Sequence, residues 1–233
     1  MHLSLRDIAQ MIEFSAVAGG IGEAEVDEMA RHATQYPFVS ALVMPCYVTR
    51  LANLVKDLGD IIVCTVIGFP SGAHTTEIKV REAGIAQAQG CREVDMVCNI
   101  GALRSGHFDF VEKEIRAVVD EAADCAVKVI LETHYLSDDE IKRGCEACVR
   151  AGAAFVKTST GWAPTGAEPK TVALMKSVVG DEIGVKASGG IRSLDRLVEL
   201  YRCGATRFGV GWQSALGIMD EIGAMPGKRI ETQ

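Results

Sequence analysis

Residues 155–161 read Phe-Val-Lys-Thr-Ser-Thr-Gly, and residues 185–192 read Val-Lys-Ala-Ser-Gly-Gly-Ile-Arg. Each stretch begins as a short apolar strand, places a lysine where the strand ends, and continues into Ser, Thr and Gly. Strands that are apolar throughout are typical of a parallel sheet covered on both faces. The two stretches therefore predict equivalent strands that carry Lys157 and Lys186 at their carboxyl ends.

The same alternation of apolar strand and helix extends in both directions from these two strands. Six further strands are predicted, at 11–14, 40–44, 61–67, 94–97, 127–131 and 206–210. Helices are predicted between the strands, at 23–34, 48–58, 76–89, 108–123, 137–151, 169–179 and 194–203, with a last helix from Trp212. Eight such units in about 230 residues predict an α/β fold of the (β/α)8 or TIM-barrel type, with a doubly wound sheet as the alternative.

The domain organisation is predicted to be simple. No Pro/Ser-rich linker and no break in composition interrupts the pattern, so residues 1–225 are expected to form one barrel domain. Residues 226–233 carry no periodic pattern and are expected to form a loose C-terminal tail.

Composition excludes several classes of function. The chain has 233 residues, of which 48% are hydrophobic and 24% charged, and its net charge is −7 without any Lys/Arg-rich run. Such a chain is not expected to bind nucleic acid or an anionic membrane. The N-terminus lacks the continuous apolar segment of a signal peptide, and no apolar run is long enough to cross a bilayer. A cytoplasmic protein is expected.

The eight cysteines are interpreted as reduced thiols, because most lie inside apolar patterns where Cys behaves as a small hydrophobic residue. Cys145 and Cys148 form a Cys-x-x-Cys pair within a helical pattern. No second ligand pair accompanies them, so neither a metal site nor a redox site is expected there.

The two strand-end lysines indicate carbonyl chemistry. A lysine inside a buried sheet keeps its stem among apolar neighbours, and desolvation there favours the neutral amine. A neutral amine attacks carbonyl groups, and a second cation nearby lowers its pKa further. Lys157 and Lys186 together therefore suggest a Schiff-base enzyme. The alternative is that both lysines extend their ammonium groups from the strand ends into water.

Asp95 is the third candidate, because it lies in an apolar strand where a carboxylate is costly without a partner. Lysines from neighbouring strands are the expected partners. The residue is then either half of a structural ion pair or a proton carrier beside the Schiff base.

Active sites of this barrel form at the carboxyl ends of its strands. The polar residues predicted there are Glu13, Ser15, Asp95, Asn99, Lys128, Glu132, Lys157 and Lys186.

Five segments, in the same order, resemble the deoxyribose-phosphate aldolase family. They are Thr-Val-Ile-Gly-Phe-Pro-Ser-Gly at 65–72, Glu-Val-Asp-Met-Val at 93–97, Lys-Val-Ile-Leu-Glu-Thr at 128–133, Lys-Thr-Ser-Thr-Gly at 157–161 and Lys-Ala-Ser-Gly-Gly-Ile-Arg at 186–192. The resemblance extends over residues 11–215. It implies a metal-free, cofactor-free class I aldolase on a TIM barrel. Such an enzyme cleaves 2-deoxyribose 5-phosphate to glyceraldehyde 3-phosphate and acetaldehyde, and a homo-oligomer, most simply a dimer, is expected.

The resemblance also implies roles for individual residues. Lys157 matches the Schiff-base lysine, and Lys186 matches the second lysine that keeps the first one deprotonated. Asp95 matches the acid that transfers protons with an ordered water, and Lys128 matches a further lysine of the polar cluster. The expected substrate-binding residues are Glu13, Ser15, Thr158, Gly161, Gly189, Gly190, Arg192, Gly209, Gly211 and Trp212.

Three departures from the family pattern concern the substrate. The first strand has Glu13-Phe14-Ser15 where the family has Asp followed by His-Thr or Leu-Thr. The Gly-x-Ser-Ser loop after the last strand is replaced by Gly-Val-Gly-Trp-Gln-Ser at 209–214. Trp162 replaces a Phe or Lys; it and Trp212 are expected either to reshape the pocket or to serve loop packing and subunit contact.

Three hypotheses on function remain open at this point. The first is the family's aldolase reaction on a sugar phosphate. The second is the same Schiff-base chemistry with a different, unphosphorylated aldehyde acceptor. The third is an inactive homologue that retains ligand binding or assembly, and the joint presence of Lys157, Lys186 and Asp95 weighs against it.

Overall fold

The computed structural model describes residues 2–225, 227 and 229–231. Within that part of the chain the strands are β1 His2–Ser4, β2 Ile12–Ala16, β3 Ser40–Val43, β4 Ile62–Ile67, β5 Glu93–Val97, β6 Ala126–Ile130, β7 Phe155–Lys157, β8 Gly184–Ser188, β9 Arg207–Gly211 and β10 Arg229–Glu231. The helices are α1 Leu5–Ala9, α2 Glu23–His32, α3 Val48–Val55, α4 Thr76–Ala88, α5 Ile100–Arg104, α6 Phe108–Glu121, α7 Asp138–Ala151, α8 Pro169–Val179, α9 Leu194–Arg202 and α10 Trp212–Gly223.

Eight of these strands close into a parallel barrel in the order β2-β3-β4-β5-β6-β7-β8-β9. The barrel closes because β2 pairs in parallel with both β3 and β9. The predicted TIM barrel is therefore confirmed. The alternative doubly wound sheet is wrong, since such a sheet is open at both edges.

The main hydrophobic core lies between the barrel and the surrounding helices, and α7 shows how the sequence builds that layer. Ser137 caps the helix, its hydroxyl accepting the N–H of Glu140 while the Glu140 side chain accepts the N–H of Ser137. The helix ends at Gly152, which has φ 81°. Its buried face carries side chains three and four residues apart: Ile141, Cys145 and Cys148.

The Cys-x-x-Cys pair thus belongs to the core. Both side chains are fully buried, and burial raises the pKa of Cys145 to about 12. These thiols stay protonated and pack as small apolar groups.

Several short elements differ from the sequence-based expectation. The elements β1, α1 and α5 were not predicted, because each is short and lies outside the repeated alternation of strand and helix. The predicted loose tail is wrong for Arg229–Glu231, which pairs in antiparallel register with β1, with Leu3 opposite Ile230. That pairing depends on a distant strand edge, which local pattern cannot reveal. Residues 226, 228, 232 and 233 lie outside the described residues. None of the helices that the structure describes is long and apolar enough to span a membrane.

Candidate active site

Strand register brings the predicted catalytic residues together inside the barrel. Lys157 on β7 lies opposite Lys186 on β8, and Asp95 on β5 lies opposite Lys128 on β6. In a parallel ladder, residues that lie opposite each other project from the same face of the sheet. The four side chains therefore meet, although up to 91 residues of sequence separate them.

The Asp95 carboxylate is the centre of the cluster. Its Oδ2 atom lies 2.6 Å from Lys157 Nζ and 2.5 Å from Lys186 Nζ, and its Oδ1 atom lies 3.1 Å from Lys128 Nζ. The side chains of Asp95, Lys128 and Lys186 are fully buried, whereas 6% of the Lys157 side chain remains accessible. Of these four groups, Lys157 is therefore the one that a substrate reaches from solvent.

Two further carboxylates and an arginine surround this cluster. Glu93 Oε2 lies 2.7 Å from Lys128 Nζ and 3.0 Å from Arg207 Nη1. Glu13 accepts a hydrogen bond from Lys186 and lies 3.3 Å from Lys128 Nζ. Lys128 and Lys186 are thereby paired with carboxylates, as buried charges require.

The charges of this cluster balance when one lysine is neutral. Three carboxylates face four basic groups, so full ionisation leaves one excess positive charge in the barrel interior. Removal of one proton from a lysine cancels that excess. The groups are Glu13, Glu93, Asp95, Lys128, Lys157, Lys186 and Arg207.

The pKa directions differ between Lys157 and Lys128. Burial lowers the pKa of Lys157, Asp95 raises it in opposition, and the charge of Lys186 lowers it again, with a net decrease. Burial also lowers the pKa of Lys128, but the surrounding acids outweigh it and hold that pKa well above its usual range. Burial opposes ionisation of Asp95, yet its lysine neighbours hold the pKa of Asp95 well below the usual range. Lys157 is therefore the best placed to be a neutral nucleophile.

Glu13, Cys64 and Asp95 offer donor atoms within 4.8 Å of one another, which is the spacing of a metal site. Lys128 Nζ, however, lies 3.3 Å from Glu13 Oε1, 3.1 Å from Asp95 Oδ1 and 3.6 Å from Cys64 Sγ. Burial raises the pKa of the Cys64 thiol well above its usual range, and a protonated thiol is a poor ligand. The ammonium group supplies the positive charge that this donor set calls for.

A cavity of about 370 Å³ opens above Lys157 at the carboxyl ends of the strands. Asp95 and Lys128 are not among its lining residues and lie deeper in the barrel. Thr158 also does not line it: its hydroxyl donates to Ser188 O at 3.1 Å and accepts the Ser188 N–H at 3.0 Å, which ties β7 to β8. The predicted residues that do line it are Glu13, Ser15, Lys157, Gly161, Lys186, Gly189, Gly190, Arg192, Gly209, Gly211 and Trp212.

The turn after β8 requires glycine. Gly189 and Gly190 have φ of 86° and 77°, values that disfavour residues with a side chain. A Cβ atom on Gly189 would lie 2.8 Å from Gly166 Cα, because the two backbones pass in close contact. The cavity wall on this side is thus bare backbone, next to the start of α10 at Trp212.

The two tryptophans have different environments. Trp212 is 8% exposed, and its ring stacks on His32 with centroids 5.8 Å apart, so most of it packs into the helix layer. Trp162 is half-exposed and lines the cavity. Its indole N–H donates to Val17 O at 3.4 Å, and its ring meets Phe69 edge-on at 5.5 Å.

Comparison with known proteins agrees with this geometry. The model of the DeoC/LacD family of aldolases matches residues 24–210. The chain belongs to this family. This aldolase is 42% identical to a deoxyribose-phosphate aldolase of Sinorhizobium medicae, over 98% of this chain and 92% of that protein.

Two solved structures are also similar. A putative deoxyribose-phosphate aldolase from Coccidioides immitis superimposes with a TM-score of 0.90 at 37% identity, over 95% of this chain and 87% of that one. A tetrameric deoxyribose phosphate aldolase from Aeropyrum pernix superimposes with a TM-score of 0.87 at 33% identity, over 95% of this chain and 93% of that one.

Sequence reasoning missed the contribution of Glu93 and Arg207 to this site and the contact that Glu132 makes at its rim. Glu93 precedes Asp95 by two residues and therefore projects from the same face, a signal that was available. Glu132, singled out only as a strand-end acid, has φ 58° and accepts both the N–H of Thr160, at 3.1 Å, and its hydroxyl. It thereby anchors the loop that follows Lys157.

Proposed function

We propose that this aldolase cleaves 2-deoxy-D-ribose 5-phosphate to D-glyceraldehyde 3-phosphate and acetaldehyde through a Schiff base on Lys157. The observation that carries the proposal is the environment of the Lys157 amine. It lies at the accessible edge of a buried cluster, 2.6 Å from the Asp95 carboxylate, with its pKa lowered by burial. A class I aldolase needs such an amine, unprotonated and next to a proton carrier.

The reaction begins when the Lys157 nitrogen attacks the C1 carbonyl of the open-chain sugar. The resulting carbinolamine loses water and becomes an iminium ion. Removal of the proton from the C3 hydroxyl then breaks the C2–C3 bond, and its electron pair moves into the iminium to give an enamine, while glyceraldehyde 3-phosphate leaves. Protonation of the enamine at C2 and hydrolysis release acetaldehyde and restore the Lys157 amine.

The neighbouring residues have separate roles in this scheme. Asp95 moves protons at the carbinolamine and enamine stages, because its Oδ2 lies within hydrogen-bond distance of the Lys157 nitrogen. Lys186 keeps Lys157 unprotonated by charge repulsion and pairs with the same Oδ2. Lys128 neutralises the buried Asp95 from its Oδ1 side.

The phosphate is proposed to bind between the turn after β8 and the start of α10. Helix N-termini and glycine-rich backbone bind phosphate well, and barrels of this type use the loops after their seventh and eighth strands. Gly189, Gly190 and Arg192 line the cavity on that side, and α10 begins at Trp212.

A second candidate function keeps the Schiff base but replaces the acceptor by an unphosphorylated aldehyde. The observation in its favour is the segment from Gly211 to Ser214, which lacks paired serine hydroxyls at the start of α10. Two measurements on the purified protein separate the candidates: acetaldehyde release from deoxyribose 5-phosphate and acetaldehyde release from deoxyribose. Release from neither sugar would contradict both candidates.

Borohydride trapping tests the chemistry directly. Acetaldehyde plus borohydride is expected to leave a reduced two-carbon adduct on Lys157, and Lys157→Leu is expected to abolish both the adduct and turnover. An adduct on Lys186 would exchange the roles of the two lysines, and no adduct would favour an inactive homologue.

We also propose that the protein forms a homo-oligomer, with a dimer as the simplest form. Helices α3 and α4 and the turn that follows α3 carry apolar side chains that are about half exposed, and exposed apolar surface of this kind is typical of an interface. They are Leu54, Leu58, Ile78 and Ile85.

The eight cysteines are unpaired, which fits the reducing cytoplasm that we propose as the location of this protein.

A further inference from the structure

A buried ion pair lies outside the barrel, between two helices of the outer ring. Lys79 Nζ of α4 lies 2.8 Å from Glu114 Oε1 of α6, and neither side chain exposes any surface. Such a pair contributes little to stability, because a well-packed apolar pair of similar size is often as stable or more so. Its role must therefore be sought in what else the two charges contact.

Both charged groups bind the carboxyl end of β5. Lys79 Nζ donates to the carbonyl oxygen of Val97 at 2.9 Å, and Glu114 Oε2 accepts the N–H of Asn99 at 2.9 Å. Val97 is the last residue of β5 and follows Asp95 by two positions. The ion pair thus fixes the end of the strand that carries the proton carrier.

The Lys79 side chain also supports the loop between β4 and α4. Gly68, with φ 63°, lies so close to the lysine stem that a Cβ atom there would be 2.8 Å from Lys79 Cε. At the other end of this loop, a Cβ on Gly72 would be 1.9 Å from the carbonyl oxygen of Cys98. The loop is therefore fitted between Lys79 and the segment that follows β5, and its Phe69 contacts Trp162, which lines the cavity.

We propose that Lys79 and Glu114 are positioning residues that hold Asp95 and the 68–72 loop in catalytic geometry from outside the barrel. The inference rests on the proposed function, since its main readout is the proton transfer assigned to Asp95. A displacement of about 1 Å far from the reacting atoms can cost on the order of 100-fold in rate.

The test compares two partial reactions of acetaldehyde in the wild type and in Lys79→Met/Glu114→Leu. Borohydride trapping reports iminium formation on Lys157, and exchange of the methyl protons in D₂O, followed by NMR, reports proton transfer to and from the enamine. The double variant is expected to keep its thermal midpoint and its trapping rate. Its exchange rate and kcat/KM for deoxyribose 5-phosphate are expected to fall roughly 10–100-fold.

Two further variants make the result specific. Glu114→Gln replaces one carboxylate oxygen by an amide NH₂, which cannot accept a hydrogen bond from Lys79 or from the Asn99 N–H. Its rate of methyl-proton exchange is therefore expected to lie between those of the wild type and the double variant. Glu112→Leu/Arg150→Met removes a 2.7 Å ion pair that joins α6 to α7, and it is expected to change neither partial reaction.

A folded double variant with wild-type methyl exchange would overturn the proposal. If the double variant does not fold, Glu114→Gln decides in the same way: slower exchange supports the proposal and unchanged exchange overturns it. Amide hydrogen exchange over 68–72 and 97–99 gives a readout that does not depend on catalysis, and it is expected to be faster in the double variant. A wild type that traps no adduct contradicts the proposed function, while the amide exchange still supports or overturns the positioning role.

Discussion

Single residues decide the chemistry through their surroundings. The same functional group occurs three times in one cluster, on Lys157, Lys186 and Lys128, yet its surroundings give it different properties. Lys128 is surrounded by acids that hold its pKa well above its usual range, whereas burial and Lys186 lower the pKa of Lys157. The carboxylate of Asp95, shared by all three, keeps them within reach of one another.

Lys186→Leu tests this electrostatic division. The substitution removes the positive charge that disfavours protonation of Lys157, so the pKa of Lys157 is expected to rise. Less free amine then remains at neutral pH, and kcat/KM is expected to fall sharply there and to recover partly in alkaline buffer. The measurement is the pH profile of kcat/KM, with Lys170→Leu, an exposed lysine on α8, as the control. An unchanged profile would show that Lys186 does not set the pKa of Lys157.

Asp95→Asn tests proton transfer. The amide keeps the size of the side chain but cannot act as a base, so turnover is expected to fall by roughly 10²–10⁴-fold. Because Asp95 pairs with three buried lysines, the thermal midpoint is expected to fall as well. Activity and thermal unfolding are measured on the same samples. A variant that loses stability but keeps its turnover would assign Asp95 a structural role.

At the scale of helices and strands, an element of this fold can be predicted when its residues show a clear apolar pattern. β4 and α7 are predictable because six and fourteen residues show a clear apolar pattern, and the shorter barrel strands are predictable because each recurs as an apolar run between two helical patterns. The pairing of β10 with β1 is not, because three residues carry no period and the partner lies at the opposite end of the chain. In the site, Lys157, Lys186 and Asp95 are visible from sequence as charges in apolar strands. The contact between Glu132 and Thr160 cannot be predicted from sequence, because it depends on a left-handed backbone conformation at Glu132.

The contact between Glu132 and Thr160 can be tested by substitutions in the β6–α7 connection. Glu132→Ala loses the carboxylate and keeps the unfavourable φ of 58°, whereas Glu132→Gly loses the carboxylate and relieves the backbone. The left-handed conformation costs about 1–2 kcal/mol for a residue with a side chain. The glycine variant is therefore expected to be the more stable of the two by about that amount, measured by denaturant unfolding.

Both Glu132 variants are expected to lose activity about equally, roughly 10-fold or more in kcat/KM, because both release the Thr160 loop next to Lys157. Full activity in the glycine variant would mean that the backbone conformation, and not the carboxylate, organises this loop.

At the scale of the whole molecule, the proposed oligomer depends on the apolar surface of α3 and α4. Ile78→Glu/Ile85→Glu places two charges on that surface and is expected to shift the mass measured by light scattering toward the monomer. Lys113→Gln/Lys142→Gln, on α6 and α7, changes the net charge by the same amount and serves as a control for it. If both double variants keep the wild-type mass, the interface lies elsewhere on the surface.

The net charge of the molecule also affects the substrate. A chain with net charge −7 repels a phosphorylated sugar at long range, so phosphate preference must come from local groups at the cavity. Those groups are the glycine turn after β8, Arg192 and the start of α10. Trp212 cannot be replaced cleanly, because its ring is packed on His32, and its loss would cost about 3–5 kcal/mol of stability. Gly211 is different, since a Cβ atom there meets nothing within 4 Å.

Gly211→Ser is therefore the variant that tests phosphate selection. Serine is a favoured residue at a helix N-cap, and its hydroxyl can accept a helix N–H while donating to the phosphate. One hydrogen bond to a charged group is worth about 1.5–3 kcal/mol, which corresponds to roughly 10–150-fold in binding. We expect the ratio of kcat/KM for deoxyribose 5-phosphate over deoxyribose to rise by that factor in Gly211→Ser and to stay unchanged in Gly211→Ala. An equal ratio in the wild type and the serine variant would mean that backbone amides and Arg192 already hold the phosphate without a hydroxyl.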